Sequence, residues 1–322
     1  MKLPLHRLLL CCLLVLTASA CTKHPYADAN KSYKKQVKAL AKSLRTTPVT
    51  NPGEDSLKQG DYWVGTTNFN LRKPNYVVIH HTAQDSTAQT LKTFTLPRTQ
   101  VSAHYVIGRD GKVYHMLNDY LRAWHGGSGR WGNNTDINSS SIGIELDNNG
   151  TEPFQEAQLE SLQQVLAILK KTHKIPTENF IGHSDIAPTR KNDPSRIFPW
   201  KRLSEAGFGL WYDEAEVEKL ILEETLDRDT LAQDSSLALV LITPQKPDVL
   251  PTTVPTLIDS TYLVPTSFNP KDALKIIGYD TKDLPAAIRA FKLHFIQADV
   301  SAVLTDRDKK VLYYLYRKYL DL

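Results

Sequence analysis

Cysteine is scarce in this chain, and its three copies sit where they cannot staple a fold: Cys11, Cys12 and Cys21 of 322 residues. An internal disulfide framework is therefore excluded for anything downstream of residue 21. No internal repeat is present, and no long basic stripe is interleaved with aromatics. With a net charge of only +4, the chain does not have the profile of a nucleic-acid binder, although the mild excess suits an anionic target such as a cell wall. The H-E-x-x-H pattern is absent as well, so any catalytic zinc site has to be assembled from distant segments. What is present is 41% hydrophobic residues on a long chain, enough to bury a real core and to build two globular units.

The N-terminal stretch "MKLPLHRLLLCCLLVLTASAC" carries Lys2 and Arg7, an apolar run from Leu8 to Leu16, and small residues ending at Cys21. It reads as an export signal over residues 1–20, too short for a stable membrane span. "ASA" before Cys21 satisfies a plain cleavage rule, whereas "LTASAC" resembles a lipobox with Ala18 where leucine is usual. A lone cysteine on an exported chain needs a reason to exist, and lipidation of Cys21 supplies one.

Residues 21–60 read as a lipid-anchored tether. Within it "KSYKKQVKALAKSLR" holds Lys31, Lys34, Lys35, Lys38, Lys42 and Arg45 with no acid, and reads as a short basic helix. A catalytic domain is expected over residues 61–211. In it "HYVIGRDGKVYHM" reads as a β-hairpin turning at Asp110-Gly111, and "SSSIGIELDNNG" as a buried strand closed by a turn. In "EAQLESLQQVLAILKKTHKIP", Leu159, Leu162, Leu166 and Leu169 recur at helical spacing, with Pro176 as the stop. Residues 212–265, with Pro244, Pro247, Pro251, Pro255 and Pro265, read as a linker or insertion. Residues 266–322 show helical periodicity with caps at Asn269 and Thr305, and predict a small three-helix module. The fold class is α/β, a mixed central sheet flanked by helices, followed by a small all-α C-terminal domain.

Three segments are too polar for plain scaffold. "YVVIHHTA", residues 76–83, ends an apolar strand in two adjacent histidines, of which only one can enter any single site because strand side chains alternate. "IGIELDNN" interrupts an apolar strand with Glu145. "GHSDIAPTRKNDPSRIFPW", residues 182–200, packs His183, Asp185, Lys191 and Asp193 into a proline-punctuated loop. Two histidines and a carboxylate on a scaffold make a catalytic zinc site with one open position, but the spacing alone does not say which of ten histidines take part.

The ordered set "VIHHTA", "SAHYVIGRDGKVYHMLND", "AWHGG", "SIGIELDN" and "GHSDIAPTRKNDP" resembles the zinc-dependent N-acetylmuramoyl-L-alanine amidases of the type-2 superfamily, which includes the peptidoglycan recognition proteins. The resemblance covers about residues 60–211 and, with the N-terminal signal, extends to outer-membrane lipoprotein amidases with a C-terminal wall-binding module. It implies that one zinc ion is held by His80, His183 and Asp193, that Glu145 is the acid/base residue, and that Lys191 is the cation beside the reacting carbonyl. It also implies cleavage of the amide between the lactyl group of N-acetylmuramic acid and L-alanine, in peptidoglycan or muropeptides.

Asp185, Arg190 and His104 are expected to belong to the scaffold or to orient the ligands, and His104, His125 and Trp124 are candidates for lining the substrate groove. His81 falls on the opposite face. Ser195 stands where the family pattern has glycine, which is expected to alter the loop. The implied setting is a monomer anchored in the cell envelope by a lipid on Cys21, facing the periplasm from the outer membrane, without nucleic acid. A non-catalytic muropeptide receptor on the same fold and a zinc peptidase cutting within the stem peptide are the competing readings. The filled ligand positions, Glu145 and Lys191 favour the amidase.

Overall fold

The computed structural model describes residues 24–45, 65–222 and 264–321. The export signal with Cys21, most of the linker and part of the tether lie outside the described residues. The chain divides into two compact units, Met1–Asn70 and Leu71–Leu322. In the first, the expected basic helix runs over Ala27–Ser43 and buries no residue. Among the described residues no helix is long and apolar enough to cross a membrane.

The second unit is organised by a five-stranded sheet. Its strands are β1 (Tyr76–His81), β2 (Tyr105–Ile107), β3 (Val113–His115), β4 (Ser141–Leu146) and β5 (Phe180–Gly182), in the order β3-β2-β4-β1-β5. β3 pairs antiparallel with β2 at one edge, and the other pairings are parallel. Parallel strands covered on both faces need apolar residues on both faces. Accordingly Val77, Val78, Ile79, Ile142, Ile144 and Leu146 are all fully buried. The β2–β3 hairpin turns through Gly108–Lys112, with Gly111 at φ 78°, as the Asp-Gly signal implies.

The helix Glu156–His173 lays Leu159, Leu162, Val165, Leu166 and Leu169 against the sheet. Each such side chain contributes roughly 1.5–3 kcal/mol relative to exposure. The helix ends where Lys174 takes a left-handed φ of 55°, just before Ile175-Pro176. Three further helices follow, Pro270–Ile277, Leu284–Phe295 and Asp306–Tyr319, each starting from a side-chain cap at Asn269, Asp283 or Thr305. Their apolar residues, among them Leu274, Phe291 and Leu312, join the same contiguous core as the sheet and Trp200. The α/β architecture with C-terminal helices is the one expected from the sequence.

Register decides where polar chemistry can gather. β1 and β4 pair His80 with Glu145, and β1 and β5 pair Ile79 with Gly182, so the next residue on the β5 side is His183. Cross-strand partners share a face. Three polar side chains are thus brought into one row at the C-terminal ends of the parallel strands, the usual place for ligands in open α/β sheets. His81, one residue on, pairs with Leu146, and its ring lies on the other side against Gly150.

Candidate metal centre and active site

His80 enters the site from the end of β1 and His183 from the first residue of the turn His183–Ile186. Asp193 is returned to them by the loop that follows, because the Ser184 backbone N–H donates to the Asp193 carbonyl at 2.8 Å. A second tie comes from Arg190, which donates to the Gly126 carbonyl at 2.6 Å and so fastens this loop to the "WHGG" segment. Ser195 does not take the left-handed conformation, so the backbone there asks for no glycine.

The three donor atoms converge. Nδ1 of His80 lies 2.9 Å from Nδ1 of His183 and 3.1 Å from Oδ2 of Asp193, and the His183–Asp193 distance is 3.0 Å. All three residues are buried. A tetrahedral zinc ion at ~2.1 Å from each ligand spaces them about 3.4 Å apart, a few tenths of an ångström wider than this triangle. An unprotonated imidazole nitrogen and a carboxylate oxygen each have a lone pair to offer a cation at that point. Among the described residues this is the one group with metal-binding spacing.

The proton on His80 can be located by following donors outward. Ser141 Oγ donates to the Ile137 carbonyl at 2.6 Å, which leaves it as the acceptor for Nε2–H of His125 at 3.1 Å. His125 then offers Nδ1 as a lone pair to Nε2–H of His80, 3.0 Å away. Nδ1 of His80 is therefore unprotonated and faces the triangle. Burial, reinforced by the neighbouring His183, pushes the His80 pKa down to about 4. His125 is lowered still further, again by burial and then by His80. Both rings are neutral, as metal ligation requires.

Burial on its own would raise the Asp193 carboxyl, but its contacts with His183 and His80 outweigh this and hold it well below the usual carboxylate range. Glu145 behaves oppositely. Burial first, and the nearby Asp193 charge second, push its pKa up to about 8, against a smaller lowering by Lys191. Its Oε2 is buried with no partner among the described atoms. Lys191 itself is exposed at the rim, with its charge acting on both His80 and Glu145.

Two expectations need correction. His104 is fully buried: its Nδ1 accepts the Gly143 N–H at 3.0 Å, and its Nε2 lies 3.0 Å from the Leu121 carbonyl and 2.9 Å from Arg72. It belongs to the scaffold, not to a groove wall. His125 likewise has both ring nitrogens engaged and acts on His80. Trp124 keeps about half of its surface exposed, at 51%. Ser141 carries no motif of its own and escapes a reading of the sequence, although the glycine of "SIGIEL" is a signal in retrospect: a Cβ on Gly143 would sit 2.4 Å from the His125 ring.

Residues 70–196 match the family described as N-acetylmuramoyl-L-alanine amidase. The N-acetylmuramoyl-L-alanine amidase AmiD of Escherichia coli is 36% identical over 157 residues, 44% of this chain and 56% of that protein. The chain spans about half the length of the curated relatives it matches. Among solved structures, AmpDh3 from Pseudomonas aeruginosa superposes with a TM-score of 0.60 at 26% identity, covering 82% of this chain and 99% of that one. The complex of E. coli AmiD with anhydro-N-acetylmuramic acid-L-Ala-D-gamma-Glu-L-Lys gives 0.59 at 25% identity, covering 80% and 93%.

Two expected outcomes follow from the geometry. Ser141→Ala removes the acceptor that orients His125 and should weaken zinc binding by about tenfold or more in a chelator competition; unchanged affinity would show that the chain of donors does not set the His80 tautomer. For Glu145, the folded state favours the protonated form, so its contribution to stability is full below its ordinary value of 4.5 and is lost as pH rises through about 8. In metal-free protein, urea midpoints of Glu145→Gln should therefore fall less between pH 4.5 and 8 than those of the wild type. Parallel curves would contradict a buried neutral carboxyl.

Proposed function

We propose that this chain, whose residues 70–196 match the family described as N-acetylmuramoyl-L-alanine amidase, hydrolyses the amide between the lactyl group of N-acetylmuramic acid and L-alanine in peptidoglycan or muropeptides, with one zinc ion. The observation that carries this reading is the triangle of His80, His183 and Asp193 with Glu145 beside His80 in the sheet register.

His80 and His183 through Nδ1 and Asp193 through Oδ2 would hold the ion. Zinc bound there would supply a Lewis acid that polarises the amide carbonyl and acidifies water, and a positive charge that draws Glu145 back towards its ionised form. Glu145 takes the proton from the attacking water and passes it to the departing L-alanine nitrogen. Its buried, unpartnered Oε2 is free to receive that proton. Lys191, exposed and adjacent in charge to Glu145, stabilises the oxyanion that develops on the carbonyl oxygen, a role whose loss typically costs ~100-fold or more in rate. No side chain needs to act as a nucleophile. Burial keeps His80 neutral and strengthens the electrostatic interactions around it.

The setting proposed for this reaction is the cell envelope, with the chain exported and anchored by a lipid on Cys21 in the outer membrane. It is supported by Lys2 and Arg7 ahead of the apolar run and by the small residues before Cys21. Metabolic labelling with a fatty-acid analogue that is unaffected by Cys21→Ala would refute it.

The test of the chemistry is mass spectrometry of N-acetylmuramoyl-pentapeptide incubated with signal-free protein, with and without a zinc chelator. Intact pentapeptide and free N-acetylmuramic acid are expected only without chelator. Glu145→Ala should keep zinc and lose at least about 100-fold in rate, whereas Asp193→Ala should lose both. Uncut substrate with folded, zinc-loaded wild type would instead support a muropeptide receptor, and equal zinc loss in the two variants would overturn the division between ligand and base.

A further inference from the structure

The turn that carries His183 is held from an unexpected side. Asp185, two residues on, is fully buried, and three donors converge on its two carboxylate oxygens. The Gly182 backbone N–H donates to Oδ2 at 2.7 Å, which closes the turn on itself immediately before the ligand. The other two donors come from the C-terminal segment, Tyr279 from the loop after the helix Pro270–Ile277 and His294 from the helix Leu284–Phe295. Tyr279 OH donates to Oδ1 at 2.9 Å, and His294 Nδ1 donates to Oδ2 at 2.8 Å. Tyr279 and His294 are themselves buried, at 2% and 3% exposure. The His294 ring stacks on Trp200, with centroids 3.8 Å apart and planes 16° from parallel.

Further contacts fasten the same helices around the metal loop. The Gly132 N–H donates to the Gly278 carbonyl at 2.7 Å, and Gln297 Nε2 donates to the Phe198 carbonyl at 2.6 Å. Gly278 has φ 137°, and a Cβ there would lie 2.4 Å from the Trp131 ring, so the approach requires glycine. A buried carboxylate whose hydrogen bonds are contributed by another segment is costly to leave unpaired, and its position is set by whoever supplies the donors.

We propose that Tyr279 and His294 are positioning residues of the metal centre: by holding the Asp185 carboxylate they fix the turn that presents His183, so the C-terminal helices are a working part of the site and not an appended module. The zinc-dependent half of this inference rests on the amidase reading above. Orientation of ligands by groups that do not themselves touch the metal commonly governs affinity by about 10- to 100-fold.

A crossed pair of variants separates the bond from the packing. His294→Phe keeps a ring to stack on Trp200 and loses the donor, whereas His294→Asn keeps an N–H near the Nδ1 position and loses the ring. Tyr279→Phe removes only the hydroxyl donor. Two readouts on the full chain are needed: hydrogen exchange of the 182–185 amides in metal-free protein, and zinc affinity by chelator competition. Exchange is expected to rise and zinc affinity to fall about 10-fold or more in His294→Phe and Tyr279→Phe, with His294→Asn close to wild type in both. Thermal stability should follow the ring, falling most in His294→Asn. The proposal is overturned if zinc affinity and 182–185 exchange follow the ring and not the donor, or if neither readout moves in the two phenylalanine variants. A wild-type chain that takes up no zinc would refute the metal-centre reading, and the exchange comparison would then decide the clamp by itself.

Discussion

The pairing of β1 between β4 and β5 is the constraint on which the site depends. Val77, Val78 and Ile79 are fully buried, so the register of β1 is specified by packing on both faces. That register sets His80 opposite Glu145 and next to the start of the His183 turn. A slip of one residue would set His81 or Ile79 opposite Glu145 in place of His80 and turn every side chain of the strand to the other face. The apolar core thus does more than stabilise the fold. It chooses which histidine of an adjacent pair meets the chemistry.

Around this row the protein fixes direction as well as position. The donors running from His80 through His125 and Ser141 to the Ile137 carbonyl leave the lone pair of His80 facing inward. Asp185 performs the corresponding task for the backbone that carries His183. The two devices differ in reach. One joins the sheet to the loop that holds His125 and to the helical turn before β4, while the other draws on residues about a hundred positions further along the chain. Glu145 is the one buried acid of the row left with an unpartnered oxygen, and its raised pKa is the electrostatic counterpart of that isolation.

Much of this was legible in the order of residues. The alternation in "YVVIHHTA", the Asp-Gly turn of the β2–β3 hairpin, the leucine spacing of Glu156–His173 and the caps at Asn269 and Thr305 are local signals, and local signals survive in a sequence. The three residues that converge at the triangle were legible through the resemblance of their motifs. The roles of Ser141, Tyr279 and His294 were not, because they arise from contacts between distant segments. His104 and His125 were misplaced for the same reason: a histidine in a polar motif looks alike whether it lines a groove or supports a ligand, and only its partners tell them apart.

The central claim is that a single cation is held by two specific nitrogens and one carboxylate oxygen. A crystal structure of zinc-loaded protein, with anomalous data on both sides of the zinc absorption edge, tests it most directly. The account predicts one anomalous peak within ~2.2 Å of Nδ1 of His80, Nδ1 of His183 and an oxygen of Asp193, with Nε2 of His80 still directed at His125. A peak coordinated through Nε2 of His80, or zinc bound without Asp193, would contradict it.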